Sequence, residues 1–275
     1  MRRLTAWLVL PLLGLVALLA APAQSAQSWR VQCTFSDERF TEISGLARSQ
    51  RFPGVLYLHN DSSNGPYVHA VDERTCRTLA TLRVSGSPAR DYEAIATGRD
   101  AKGRPVIWLG DLGDNNDSWP WVEVLRIQEP TTLRSQTVSA RHLRVTYPDM
   151  GHNAETLLAN PTKPQLWIVT KQLAAGSLYA LPVPPAAVNR AVPLRREDGL
   201  ITDGSVAPQG DRYVLRTYFD ATVFTGLPPG KAGRPFDLPG QFQGEAITWT
   251  ADGRALLIAS ERDNRLIRVE IPQAG

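Results

Sequence analysis

Short apolar runs rich in Val, Ile, Leu, Tyr and Trp follow one another along this chain, separated by Gly, Pro, Asp and Asn. No helical period is sustained. The pattern predicts β-strands joined by tight turns. Five segments share one form: an acid, a small or β-branched apolar stretch, a turn, then a second apolar strand. They read EISGLARSQRFPGVLYLHND from Glu42, EAIATGRDAKGRPVIWLGD from Glu93, ETLLANPTKPQLWIVTK from Glu155, DGSVAPQGDRYVLRT from Asp203 and EAITWTADGRALLIASE from Glu245. The leading acids are 51, 62, 48 and 42 residues apart. A four-stranded propeller blade takes about 40–50 residues.

Each unit carries further strands, such as YVHAVD and TLATLRV in the first and WVEVLRI and ARHLRVTY in the second. The fifth ends with RLIRVEI and lacks an outer strand, whereas WRVQCTF (Trp29–Phe35) stands unassigned before the first unit. A ring that stays open leaves a strand edge exposed. The expected fold is therefore an all-β propeller of five four-stranded blades, with the N-terminal strand completing the last one. The alternative is six blades, one of them degenerate, in the long second interval or near residues 181–200.

Composition changes this picture in three ways. Residues 1–25 combine Arg2 and Arg3, an apolar run from Leu8 to Ala20 and small residues at Ala23 and Ser25. That is the pattern of a cleaved signal peptide, leaving residues 26–275 as one propeller domain outside the cytoplasm. Removing residues 1–23 takes two of the 30 Lys and Arg and none of the 27 Asp and Glu, so the net charge falls from +3 to +1. Such a balance points to no nucleic acid and, after cleavage, no membrane; a monomer is expected. Finally, Cys33 and Cys76 are the two cysteines, and an oxidising compartment predicts that they pair. Cys33 lies on the N-terminal strand and Cys76 in the turn before the outer strand of the first unit, so the bond would clamp the closure.

In a propeller the inner strands line a central channel. The repeat sets Glu42, Glu93, Glu155, Asp203 and Glu245 at their starts. The ends of the second strands, carrying His59, Asp61, Asp111, Lys171, Arg216 and Glu261, belong at the same mouth. Crowded carboxylates either take up protons or gather cations. Glu42, Asp91, Glu93, Asp111, Asp114, Glu155 and Glu245 are candidate ligands of a hard cation, calcium first, with Asp91 the foremost because Asp111 and Asp114 belong to the same unit. Asp61, Lys171, Asp203, Arg216, Glu261 and Trp119 are candidate ligand-binding groups. His59 and His152 are candidate acid–base groups. A structural reading stands beside these: an inner-strand carboxylate that accepts backbone N–H bonds simply stitches one blade to the next. No Gly-x-Ser-x-Gly elbow, His-Glu-x-x-His, Cys-x-x-Cys, Rossmann or P-loop pattern is present.

EISGLA, DYEAIA, LGDLGDN, NAETLL and GEAITW resemble the secreted bacterial propellers of the phytase-like and esterase-like (WD40-like) group, and more distantly the calcium-dependent lactonase propellers. The resemblance covers most of residues 38–271. It implies a calcium-bearing, acid-rich mouth acting on a phosphate ester or lactone. Two readings follow. One is a calcium-dependent hydrolase. The other is a binding propeller whose mouth grips a small molecule, a glycan or a protein.

Overall fold

A computed structural model describes residues 28–61 and 64–272. The predicted signal peptide lies outside the described residues. Among those described, every regular element is a β-strand, and no helix is long and apolar enough to cross a membrane.

The strand pairings sort into five antiparallel sets. The first is β2 (Ile43–Arg48), β3 (Val55–Asn60), β4 (Tyr67–Asp72) and β5 (Thr78–Ser85). The second is β6 (Tyr92–Arg99), β7 (Pro105–Asp111), β8 (Val122–Gln128) and β9 (Gln136–Thr146). The third is β10 (Ala154–Ala159), β11 (Leu166–Thr170), β12 (Ala175–Ala180) and β14 (Val192–Asp198), with β13 (Val188–Arg190) lying parallel to β9. The fourth is β15 (Asp203–Val206), β16 (Arg212–Arg216) and β17 (Asp220–Thr225), edged by β18 (Lys231–Ala232) and β19 (Phe236–Asp237). The fifth is β20 (Gln243–Trp249), β21 (Ala255–Glu261) and β22 (Asp263–Glu270), and its outer strand is β1 (Trp29–Thr34). The N-terminal strand thus completes the last set, as its unassigned pattern predicts. The inner strands neighbour one another in a closed cycle, β2, β6, β10, β15, β20 and back to β2. Parallel pairing of β5 with β9 also joins the first two sets along their outer edges.

Burial follows this layering. Strands β3, β10 and β21 are buried at every position, whereas the outer β9 alternates exposed and half-buried residues over most of its length. A strand covered on both faces reads as a continuous apolar run, and one facing water alternates. The first turn of four units carries a left-handed glycine, Gly54, Gly103, Gly210 and Gly253, with φ between 68° and 77°; a Cβ would oppose that backbone. Between the sets, Trp108, Trp167 and Trp249 fill the core. Trp121 is only half-buried, with the Arg144 guanidinium 4.6 Å from its ring centre.

Cys33 and Cys76 form a disulfide, with Cα atoms 5.7 Å apart and a sequence separation of 43. It ties β1 to the turn between β4 and β5, so it crosses the point where the ring closes.

Candidate functional site

Register fixes which residues of different blades are equivalent. In β6 the pairing slips between Tyr92 and Ala94, in β10 between Ala154 and Thr156, and in β20 between Gly244 and Ala246. The extra residue of each bulge is Glu93, Glu155 or Glu245. A bulge re-aims its side chain out of the sheet's alternation. In β2 the slip lies between Ile43 and Gly45, so the equivalent residue is Ser44. Glu42 sits two residues earlier, in step with Asp91. The sequence reading of Glu42 as the repeated acid is thereby corrected: Ser44 takes the repeated place and Glu42 is the counterpart of Asp91. Ser44 is buried and its hydroxyl donates to Glu93 Oε2 at 3.4 Å.

Seven carboxylates gather at this mouth: Glu42, Asp61, Asp91, Glu93, Glu155, Glu245 and Glu261. Asp61, Asp91 and Glu93 each offer an oxygen within 4.8 Å of the others. Among the described residues the cation that pairs with them is Lys171, which meets Glu155 Oε1 and lies 3.8 Å from Glu245 Oε1. Lys171 also lies 5.0 Å from the centre of the Tyr218 ring. Gln243 donates to Glu245 at 2.9 Å, and Asn64 to Glu42 at 2.7 Å. Glu155 Oε2 is buried with no hydrogen-bond partner among the described residues.

The electrostatic consequence is plain. Burial, then the charges of Glu155, Asp61, Asp91 and Glu245, push the Glu93 carboxyl well above the usual carboxylate range. Burial lifts Glu155 to about 8, with Lys171 opposing and Glu245 assisting. Burial lifts Glu261 to about 8 as well, helped by its hydrogen bond to Glu245 and by that residue's charge. Burial lowers the Lys171 ammonium, but the neighbouring Glu155 outweighs it and the net shift is upward. A pH prediction follows. Carboxyls with raised folded-state pKa values hold more protons folded than unfolded between about 4.5 and 8. Their destabilising effect is absent below that window, grows through it and is complete above it. In chelator, the melting temperature should fall steadily from pH 5 to pH 8.5. A flat or rising profile would show that these carboxyls are neutralised some other way.

Other candidates lie elsewhere. Asp111 is buried, accepts the Asp91 backbone N–H at 2.8 Å and meets Arg90 Nε at 3.2 Å. Asp114 accepts the backbone N–H groups of Ser118 and Trp119 at 2.9 and 2.6 Å, closing its own loop. The carboxylates beside Asp91 are therefore Asp61 and Glu93, not Asp111 and Asp114. Trp119 is half-buried against the core, and the Arg90 guanidinium lies 3.9 Å from its ring centre. Asp203 is buried and accepts the Ile247 N–H at 2.7 Å, a stitch to the next blade; burial raises its pKa well above the usual range. Arg216 has no exposed surface; it donates to the carbonyls of Thr217 and Ala246, each at 3.0 Å, and burial lowers it to about 10. It joins blades rather than facing the mouth.

His59 is fully buried, with Nδ1 2.9 Å from the Asn60 carbonyl, and burial lowers it to about 4. The ring is neutral at pH 7, so Nδ1 donates and Nε2 points at Gly45. A Cβ on Gly45 would lie 2.5 Å from that Nε2 and 2.9 Å from Ile95 Cγ2. Gly45→Ala should cost about 1–3 kcal/mol by overpacking, checked by denaturant unfolding; an unchanged midpoint would mean His59 can move. His152 pairs with Asp149 at 2.9 Å and packs on Tyr147 and Tyr179.

One feature escapes a reading for acids alone. Met150, Leu173, Phe219 and Phe242 are exposed, with Leu173 at 85% and Phe219 at 72%. All four lie on loops of the mouth face, each within two residues of His152, Lys171, Tyr218 or Gln243. The signal was available: large apolar residues outside the strand runs.

No protein-family model matches the sequence, and no curated protein does. Among solved structures the chain is similar to the PQQ-bound aldose sugar dehydrogenase of Streptomyces coelicolor, at 14% identity and a TM-score of 0.51, covering 91% of this chain and 99% of that one. It is also similar to a gluconolactonase from Xanthomonas campestris, at 13% identity and a TM-score of 0.49, covering 90% and 91%. The first likeness and the closed cycle of inner strands agree on architecture: this chain is an all-β propeller.

Proposed function

We propose that this propeller has five blades, works outside the cytoplasm and holds a divalent cation between Asp61, Asp91 and Glu93, using that mouth to bind a neutral ligand with an apolar part. The carrying observation is the three converging carboxylates, set, among the described residues, within a group of seven acids with which one lysine pairs. The unpartnered buried oxygen of Glu155 supports the same reading. All-oxygen donors of this kind suit calcium. The exposed Met150, Leu173, Phe219 and Phe242 around the mouth favour a ligand that is not purely polar. When bound, the cation would polarise a carbonyl or hydroxyl oxygen. The chain's own groups do the rest: Lys171 and Tyr218 wall one side, and Gln243 holds Glu245 in place.

A second reading is hydrolysis of a neutral lactone or ester. Glu155 and Glu261, lifted to about 8, are poised to hold or give up a proton near neutrality. Phosphate esters fit less well, since the mouth offers one lysine and repels further negative charge. The same charge argues against the sugar dehydrogenase's PQQ, a tricarboxylate. Hydrolysis of neutral lactone, ester and phosphoester probes, each with calcium and with chelator, separates the readings. Calcium-dependent turnover of the lactone or ester favours the enzyme. Calcium-dependent stabilisation without turnover of any probe favours the binding propeller. Indifference to calcium in both tests would sink the proposal.

A further inference from the structure

We infer that the opposite end of the channel is a second binding site, for a small hydroxylated carboxylate. A cavity of about 270 Å³ opens there, lined by the C-terminal ends of all five inner strands. Ligand pockets reach down to about 300 Å³, so this one suits a ligand of sugar-acid size. It lies about four strand residues beyond Glu93, roughly 13 Å along β6. That spacing puts the cavity at the other end of the channel from the acidic mouth.

The chemistry of this end is the reverse of the first. No Asp or Glu lines the cavity, while Arg48 and Arg99 do. The charge of Arg48 is taken up by Glu73 at 2.5 Å. Arg99 forms no ion pair among the described residues; its Nη1 donates to the Gly103 carbonyl at 2.9 Å, which leaves the guanidinium's other donors for an anion. Hydroxyl groups supply the rest of the wall. Thr97 donates to the Arg48 carbonyl at 2.6 Å, keeping its lone pairs available. Ser205 and Thr248 have hydroxyls 3.4 Å apart, one of which donates, so the other keeps its proton for a ligand. The Trp249 indole, buried in the core behind the cavity, donates to the Ser205 carbonyl at 2.9 Å and is braced by Arg212, 5.0 Å from its ring centre, so the Ser205 backbone is fixed. A guanidinium without an ion-pair partner, in a cavity lined by several hydroxyls, recognises a carboxylate that bears its own hydroxyls. An anion repelled by the acidic mouth meets no such barrier here.

Calorimetric titration in chelator, so that no metal contributes, tests this with D-gluconate, D-glucose and inorganic phosphate as probes. Gluconate should bind at least tenfold more tightly than glucose or phosphate. Arg99→Gln should weaken gluconate tenfold or more, and Arg99→Lys only a few-fold, in variants whose melting temperatures match the wild type. Raising salt from 0.05 to 0.5 M should weaken gluconate and leave glucose unchanged. Absence of gluconate binding, equal binding of glucose, or indifference to Arg99→Gln would overturn the site. Phosphate binding more tightly than gluconate would overturn its assignment to a hydroxylated carboxylate.

Discussion

Cys33→Ser and Cys76→Ser each destabilise the folded chain by about 4 kcal/mol. The disulfide closes a loop of 43 residues, and in the chain-entropy model that cross-link removes about 4 kcal/mol of freedom from the unfolded state. Its position adds a second consequence. The bond joins β1, the outer strand of the last set, to the turn before β5 of the first. Without it β1 is held by its ladder to β22 and by the Gln32 amide, which donates to the Glu73 carbonyl at 3.5 Å. At about 2–4 °C per kcal/mol for a domain of this size, the melting temperature should drop by about 8–16 °C. Wild type in reductant should fall to the value of the variants. Hydrogen exchange should show β1 amides losing protection before those of β2. Equal melting temperatures in oxidised and reduced protein would mean that β1 pairing alone secures the ring.

Calcium at a hundred times its dissociation constant stabilises the wild type by about 2.7 kcal/mol, by mass action, and raises its melting temperature by about 5–11 °C. Asp91→Asn and Glu93→Gln abolish that gain. Glu93→Gln carries a further signature. The Glu93 carboxyl is held well above the usual range by burial and by its acidic neighbours, so ionising it at pH 8 burdens the metal-free protein. Glutamine removes that burden. In chelator at pH 8 the variant should therefore melt higher than the wild type, and in calcium lower. A variant below the wild type in both conditions would show that Glu93 serves packing alone. Asp114→Asn, by contrast, should leave the calcium response intact, because Asp114 is spent on the N–H groups of its own loop.

The repeat, the closing strand and the cysteine pair were legible in the sequence because each is a local pattern repeated or left over: apolar runs at blade spacing, one strand too many at the start, two cysteines at the join. The ring of acids was legible in outline and wrong in phase for the first unit. A bulge inserts one residue, so counting from the leading acid misaligns Glu42 with Glu93. Aligning Leu46 with Ile95, Leu157 and Ile247 would have placed Ser44 opposite the glutamates. Asp111 and Asp114 misled for a different reason. Sequence proximity to Asp91 is real, but their carboxylates turn toward backbone N–H groups and Arg90. Arg216 and Lys171 look alike as basic residues near the ends of second strands. They differ by one residue of register: Arg216 pairs directly with Asp203, while Lys171 lies one position beyond the paired Thr170. That single step buries one guanidinium between blades and brings the other cation to the mouth. The hydroxyl-lined far end gave no sequence signal, because its residues belong to five different strands.

The most direct test of a cation at the acidic mouth is long-wavelength diffraction from crystals grown in calcium. An anomalous peak is expected among the carboxylates of Asp61, Asp91 and Glu93, absent in crystals of Glu93→Gln. A mouth with no anomalous peak in the wild type, or a peak elsewhere that persists in Glu93→Gln, would contradict it.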